Sequence, residues 1–115
     1  LVQYILLRRD LISEFKWNCG SMIAQACHGS IACLQIFKSD PDTVKYLEDI
    51  KNMRKVVLEL RNENNLLEYE KILEENSLKF YTWIEYPEIV KTCIAVKPYP
   101  KNEIKKIFKR LSPYN

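Results

Sequence analysis

The sequence predicts an α/β fold, namely a three-layer α/β/α domain built around a four-stranded mixed sheet. Four short runs rich in β-branched and aromatic residues alternate with longer segments in which apolar residues recur every three or four positions. The elements follow the order β-α-α-β-α-β-β-α, and right-handed crossovers through helices make the strands they join parallel. A chain of 115 residues has the length of one domain. We therefore expect residues 1–115 to form a single domain.

The first half of the chain contains one strand and two predicted helices. Val2–Leu7 has a single polar residue, which is typical of a strand buried on both faces. No basic region precedes this run and no cleavage site follows it, so we interpret it as a strand and not as a signal peptide. A long apolar helix is expected to begin near Ser21, whose side chain could cap it. The turn at Asp40–Asp42 leads into a second helix over Thr43–Asn52.

The second half supplies three strands and two helices. Lys55–Leu60 and Phe80–Glu85 are predicted strands, and between them Asn62 is placed to cap the third helix. Cys93–Val96 is the fourth strand, and the last helix begins after Pro100. The short link between the third and fourth strands permits antiparallel pairing, which makes the sheet mixed.

One edge of this sheet is the expected ligand site. Ligands of such sheets bind beyond the carboxyl ends of the strands, close to helix N-termini. This rule gathers Arg8, Arg9, Gly20, Ser21, Glu85 and Tyr86. The first backbone N–H groups of the long helix, at 21–23, could there hold a phosphate or an oxyanion.

A narrow polar stripe runs along the long apolar helix. It consists of Ser21, Gln25 and His28, which share one side of the helix. Polar side chains on such a helix need hydrogen-bond partners, either from a neighbouring loop or from a substrate. Both interpretations are open for Gln25 and His28.

Composition and charge narrow the functional classes. The four cysteines form no C-x-x-C pair and the chain has one histidine, which predicts reduced, intracellular thiols and no metal site. The net charge is +3, but residues 97–110 carry +5 and the remainder −2. This asymmetry is typical of an edge that binds a polyanion, although lysines on an amphipathic helix are often only solvated.

Several motifs together resemble those of a known family. Gly20, Ala24-Gln25 and Cys27-His28-Gly29 in the long helix, with Lys55-Val56-Val57 in the second strand, resemble the peptidyl-tRNA hydrolase II family. The similarity is closest to its divergent eukaryotic branch, the peptidyl-tRNA hydrolase domain-containing proteins. The segments that suggest this branch are Arg8–Leu11, Ala24–His28, Met53–Glu59, Cys93–Ala95 and Lys97–Lys101.

The resemblance implies a hydrolase that acts on tRNA in the cytoplasm. Its reaction cleaves the ester that joins a nascent peptide, or an N-blocked amino acid, to the 3′ ribose of tRNA, and it releases free tRNA. This acyl transfer to water needs an activated water, a stabilised oxyanion and basic contacts to phosphates. The family implies no metal and no organic cofactor.

Two departures from the family pattern concern catalysis. Active members carry a lysine directly after the glycine that opens the helix, where this chain has Ser21. They also have Asp-Ala-Gly after the third strand, where this chain continues from Glu85 with Tyr-Pro-Glu. Gln25 carries over, His28 matches a helix-packing position, and Lys16 or Glu85 could supply the missing chemistry. The candidate catalytic residues are therefore Ser21, Gln25, Glu85, Lys16 and His28.

The candidate RNA contacts are mainly basic. They are Arg8, Arg9, Lys55, Lys97, Lys101 and Lys105, with Trp17 as a residue that could stack on the terminal adenine. The alternative function is a catalytically inactive module of the same fold that binds tRNA, other RNA or a protein. The predicted partner is tRNA, no membrane segment is expected, and an exposed sheet edge could support a homodimer.

Overall fold

The structure, a computed structural model, describes residues 1–115 and confirms the α/β fold with a four-stranded mixed sheet. None of its helices combines the length and the apolar character that a membrane-spanning segment requires. The elements are β1 (Gln3–Arg8), α1 (Asp10–Ser13), α2 (Cys19–Ile36), α3 (Pro41–Glu48), a 3-10 helix (Ile50–Asn52), β2 (Lys55–Leu60), α4 (Glu63–Glu75), β3 (Phe80–Glu85), β4 (Val90–Val96), α5 (Lys101–Ile104) and a second 3-10 helix (Lys105–Phe108).

The sheet has the strand order β2-β1-β4-β3. β1 is parallel to β2, while β4 is antiparallel to both β1 and β3. The first three strands therefore run in one direction and end at the same edge, as the crossover rule predicts. All six residues of β1 are buried, which explains why this central strand is almost continuously apolar.

Helices cover both faces of the sheet. Along β1, Tyr4 and Leu6 belong to the larger core beneath α4 and α5, while Ile5 and Leu7 belong to the smaller core beneath α2. This alternation follows from the opposite directions of successive side chains in a strand. The two cores give the three layers that the sequence predicts.

The start of α2 differs from the prediction. The helix begins at Cys19, and Asn18 caps it by accepting a hydrogen bond from the Ser21 N–H at 2.8 Å. The Met22 N–H donates to the Asn18 carbonyl at 3.2 Å. The prediction that Ser21 caps the helix is therefore wrong, and the predicted anion site at 21–23 is wrong because Asn18 already accepts from two of its three N–H groups.

Other boundaries agree or shift modestly. β2 and β3 have the predicted bounds, and Asn62 caps α4 as expected. β4 starts earlier, at Val90, because its hydrogen bonds to β3 continue through the polar residues that precede the apolar run. The second and last helices are shorter than predicted, since each continues as a 3-10 turn after α3 and α5.

Candidate active site

Gln25 is the buried polar residue of α2. Its side chain is 2% exposed, and its Oε1 accepts a hydrogen bond of 3.1 Å from the hydroxyl of Thr92 on β4. The Cys93 thiol donates to the Gln25 carbonyl oxygen at 3.3 Å. The Gln25 Nε2 amide donates no hydrogen bond within the protein, and this atom remains accessible to solvent. A held glutamine with two free N–H donors is thus present close to the helix start.

Gly29 sets the distance between α2 and the sheet. A Cβ at this position would lie 2.8 Å from the Sγ of Cys93 and 3.6 Å from the Cβ of Ala95. Only a glycine allows the helix backbone to approach β4 so closely. This approach brings Gln25, one turn earlier, within reach of Thr92.

His28 lies on the exposed side of the same polar stripe. Its ring stacks on Trp83 of β3, with centroids 4.6 Å apart and planes inclined by 19°. The Trp83 Nε1 donates to Glu85 Oε1 at 3.1 Å. His28, Trp83 and Glu85 therefore form a continuous line of contacts that reaches the carboxyl end of β3.

Ser21 and Lys16 lie before Gln25 in the chain. Ser21 is half-buried one helical turn from Gln25, and its hydroxyl makes no hydrogen bond to the protein. Lys16 is exposed in the loop that precedes α2 and has a left-handed backbone, with φ of 64°. Both stand near the edge where β1 and β3 end, but neither is bonded to Gln25.

Arg8 does not lie free at this edge. It is 5% exposed and forms a two-pronged ion pair with Asp10, at 2.8 and 3.0 Å. Its Nη1 also donates to the Lys91 carbonyl at 3.1 Å, which ties β1 to β4 beside Thr92. The expectation that Arg8 contacts RNA does not fit this burial. Arg9 is half-buried, with its guanidinium 5.4 Å from the Tyr114 ring centroid.

Lys97 and Lys55 also bind to other side chains of the protein. Lys97 is 3% exposed and contacts Asp40 at 3.0 Å and Asp42 at 3.3 Å. Its burial contradicts the prediction that it contacts RNA, because its charge is already neutralised. The Lys55 Nζ donates to Gln3 Oε1 at 2.6 Å, at the sheet edge opposite to the carboxyl ends. Burial lowers the pKa of Lys55.

Other basic residues are accessible. Lys101 and Lys105 are exposed, as the sequence predicts for the outer side of the last helix. A further group, which we term the basic cleft, lines a cavity of about 350 Å³ between α4 and the segment after α5. Its basic residues are Arg61, Lys106, Lys109 and Arg110. Arg61 is distant in sequence from the other three, so the charge run alone does not reveal it.

Trp17 lines a different cavity, of about 660 Å³, at the edge where β1 ends. It is half-buried there, near the Arg8–Asp10 pair. Three carboxylates, those of Glu14, Glu63 and Glu88, also line this cavity. The surroundings of Trp17 are therefore acidic, while the basic cleft lies on the α4 side of the sheet.

Comparison with known proteins identifies the family. The family model described as "Peptidyl-tRNA hydrolase PTH2" matches residues 1–114. The chain belongs to the PTH2 family. The expectation from the sequence motifs is thus confirmed, over nearly the whole length of the chain.

Individual PTH2 relatives agree with this assignment. Proteins named "Putative peptidyl-tRNA hydrolase PTRHD1" from Mus musculus and Homo sapiens are each 42% identical to this chain over 111 residues. The matched region covers 96% of this chain and 79% of each relative. A "Peptidyl-tRNA hydrolase" from Methanococcus vannielii is 33% identical over 117 residues, which cover 95% of both chains.

Thr92 is the site residue that sequence reasoning missed. It immediately precedes the apolar run of β4, so the pattern of apolar residues does not mark it as a site residue. Its one signal is that it is a fully buried polar residue, and a buried hydroxyl needs a partner. No group of three or more His, Cys, Asp or Glu side chains is arranged to hold a metal ion.

Proposed function

We propose that this chain hydrolyses the ester bond of peptidyl-tRNA, or of N-blocked aminoacyl-tRNA, and releases free tRNA. The observation that carries the proposal is the buried Gln25, which Thr92 orients and whose amide N–H donors remain free. Membership of the PTH2 family and the names of the relatives support this substrate class. We place the activity in the cytoplasm and in one domain that spans residues 1–115.

The chemistry requires a group that stabilises negative charge. Attack of water on the ester carbonyl forms a tetrahedral oxyanion, which then expels the 3′ oxygen of the ribose. Fixed donors that face the developing charge lower the barrier because they need no reorganisation during the reaction. We assign this role to the Gln25 Nε2 amide, which the Thr92 hydrogen bond holds in one orientation.

A second group must accept a proton from the attacking water and return one to the ribose oxygen. We assign this role to Glu85, whose Oε1 is held by the Trp83 Nε1 while Oε2 makes no hydrogen bond to the protein. In this proposal Glu85 replaces the family's Asp-Ala-Gly aspartate. Ser21, which stands in place of the family lysine, orients the water or the ribose through its free hydroxyl. Lys16 is the alternative source of a charged group in the same region.

The tRNA backbone needs cationic contacts apart from the reacting ester. The exposed cations that could supply them are Lys101, Lys105 and the four residues of the basic cleft. Trp17 remains the aromatic residue proposed to stack on the terminal adenine. Lys97 and Arg8 are left out of this interface because both are buried in ion pairs.

The decisive experiment measures release of free tRNA from N-acetyl-aminoacyl-tRNA by the purified protein. Gln25→Ala should lower turnover by about 10²–10³-fold, the loss typical of removing one oxyanion donor. Gln35→Ala is the matched control, since Gln35 is an exposed glutamine on the same helix and should leave turnover unchanged. Equal turnover by Gln25→Ala and wild type would refute the site. Salt-dependent tRNA binding without any turnover would instead establish the inactive binding module.

The proton-transfer assignment has its own test. Glu85→Gln keeps the size of the side chain and its Trp83 contact but removes the base, so turnover should fall by about 10²–10⁴-fold. Glu75→Gln, at an exposed carboxylate at the end of α4, should behave like wild type. Unchanged turnover in both Glu85→Gln and Lys16→Ala would exclude the two substitutes for the family residues.

A further inference from the structure

The two edges of the sheet are covered differently. Beside β2, the last residues of the chain form a short extra pairing. There the Glu59 N–H donates to the Ser112 carbonyl at 2.9 Å, and the Tyr114 N–H donates to a carbonyl of β2 at 3.0 Å. Beside β3, no backbone group of residues 80–85 makes a hydrogen bond with a backbone group outside the sheet. β3 is therefore the open edge of the sheet.

Every second residue of β3 directs its backbone groups away from β4. The hydrogen bonds of an antiparallel pair join alternate residues of each strand. The Lys97 N–H donates to the Lys79 carbonyl, so the next residue of β3 that bonds to β4 in this register is Tyr81. The N–H and C=O groups of Phe80 and Thr82 consequently face the open side. All six residues of β3 are half-buried, whereas all of β1 is buried, so a ligand can reach these groups.

The sequence of β3 does not protect this edge. Natural proteins usually block an open edge with a proline or a lysine within the strand. The six residues FYTWIE contain neither. An unblocked edge strand is a template to which an extended peptide can add.

The open edge leads to the candidate active site. β3 ends at Glu85, and the stacked rings of His28 and Trp83 connect this end to α2 close to Gln25. Thr82 precedes Glu85 by three positions, which is about 10 Å along an extended strand. A strand that adds to β3 and runs parallel to it would therefore bring its carboxyl end to the site.

We propose that this edge binds the peptide part of peptidyl-tRNA, which adds to the sheet as a parallel strand beside β3. The inference rests on the function proposed above, because it takes the same ester as the substrate. The esterified carboxyl end of the peptide lies at Glu85. From about the third residue onwards, the peptide backbone pairs with Thr82 and then with Phe80.

Backbone pairing suits a substrate whose sequence varies. Nascent peptides differ in their side chains, but they share the amide groups that an edge strand recognises. Pockets for particular side chains would instead restrict the hydrolase to a few peptides. The open edge thus offers a way to hold many different peptides with the ester in one place.

The dependence of binding on peptide length tests the proposal without any assay of hydrolysis. The probes are alanine peptides with fluorescein at the N-terminus and adenosine at the carboxyl end, joined through a 3′ amide in place of the ester. Fluorescence anisotropy should show that five alanines bind at least about fivefold more tightly than one, because each added hydrogen bond contributes about two- to twelvefold. Equal affinities would overturn the proposal.

N-methylation of the five-residue probe distinguishes strand pairing from other kinds of binding. Only every second amide of an added strand faces its neighbour. Methylation of one alternate set of amides should therefore abolish the gain in affinity, whereas methylation of the other set should preserve it. Equal effects of the two patterns would overturn the proposal. This is the result expected if side chains hold the peptide, or if another chain covers the edge.

Thr82→Pro tests the same contact from the side of the protein. Proline removes the outward N–H but no hydrogen bond to β4, so the strand can still pair. The ratio of the affinities for the five-residue and one-residue probes should fall towards one. Thr82→Val is the matched control, since it also loses the 2.6 Å hydrogen bond from the Thr82 hydroxyl to Glu70 but keeps the N–H. It should keep the wild-type ratio, and an unchanged ratio in Thr82→Pro would overturn the proposal.

These measurements separate the peptide edge from the reaction. Length-dependent binding by a protein that releases no tRNA would support the peptide edge and refute the proposed hydrolysis. Release of tRNA by a protein whose binding does not vary with peptide length would support the hydrolysis and refute the peptide edge.

Discussion

At the scale of single residues, Gln25 and Thr92 are the most informative pair. A buried amide costs free energy unless its polar atoms find partners, and here one oxygen is satisfied while the nitrogen is left available. This arrangement suits a group that must hold a fixed position and still donate to a substrate. Thr92 touches no proposed reacting atom, so it is a positioning residue.

Thr92→Val should distinguish the effect of Thr92 on the orientation of Gln25 from its effect on stability. The variant keeps the shape of the side chain but leaves Gln25 Oε1 without a donor, which should lower the free energy of unfolding by about 1–3 kcal/mol. Turnover should fall at least about tenfold, mainly in kcat, because the Gln25 amide loses its fixed orientation. Urea unfolding and tRNA release measure the two effects. Thr92→Ser retains the hydroxyl and should restore turnover, whereas equal losses in the Ser and Val variants would argue against a positioning role.

Residue-scale prediction from the sequence succeeded where a side chain has few possible partners. Asn62 precedes a helix and caps it, as its type and place predict. For Arg8 and Lys97 the sequence predicted RNA contacts, because a cation next to a strand end is usually exposed. In the structure both side chains are buried in ion pairs. Their partners Asp10, Asp40 and Asp42 are brought to them by the fold, and the distances to these carboxylates are not encoded in local spacing.

At the scale of elements, Lys97 joins two parts of the chain. It lies just after β4, and its ammonium meets the carboxylates at the N-terminus of α3. Burial alone would raise the pKa of Asp40, but the hydrogen bond and charge of Lys97 outweigh it and hold that pKa below its ordinary value. The pair thus fixes α3 against the end of the sheet.

Lys97→Met should uncouple α3 from the sheet. At pH 7 the variant should lose about 2–4 kcal/mol of unfolding free energy, since Asp40 keeps little solvent and loses its cation. Because the folded pKa of Asp40 is depressed, this stabilisation is complete above about pH 4 and is lost as the pH falls further. Urea unfolding at several pH values should show the gap between variant and wild type closing in acid. Lys79→Met, an exposed lysine 3.8 Å from Asp40, should change stability by less than about 1 kcal/mol.

The sequence predicted element types better than element ends. The start of α2 was misplaced by two residues because both Asn18 and Ser21 are good caps, and only tertiary packing selects between them. β4 was predicted too short because its first residues are polar or half-buried. Their strand conformation comes from pairing with β3, which no local pattern reveals.

At the scale of the whole molecule, opposite charges occupy different surfaces. The cavity beside Trp17 has three glutamates without an ion-pair partner, whereas the basic cleft has four cations and one carboxylate, that of Glu68. The sequence shows the excess positive charge at 97–110, but it does not show which of these cations are accessible. The fold removes Lys97 from that group and adds Arg61.

Affinity for tRNA should therefore depend on salt through the basic cleft. Removing one lysine that contacts a phosphate should make the slope of log K against log salt concentration shallower by about 0.7–0.9. We expect this reduction for Lys106→Gln and again for Lys109→Gln, measured by fluorescence anisotropy with labelled tRNA. Lys45→Gln, at an exposed lysine of α3, should leave the slope unchanged. A wild-type affinity that does not vary with salt would mean that the cleft does not bind RNA.

The central position of β1 also constrains the order in which the protein folds. β1 comes first in the chain, yet its sheet neighbours β2 and β4 begin about 50 and 85 residues later. A ribosome therefore releases an apolar strand long before either neighbour exists to cover it. Productive folding must wait until β4 has left the exit tunnel, and during this interval the nascent chain is open to capture by chaperones or to aggregation.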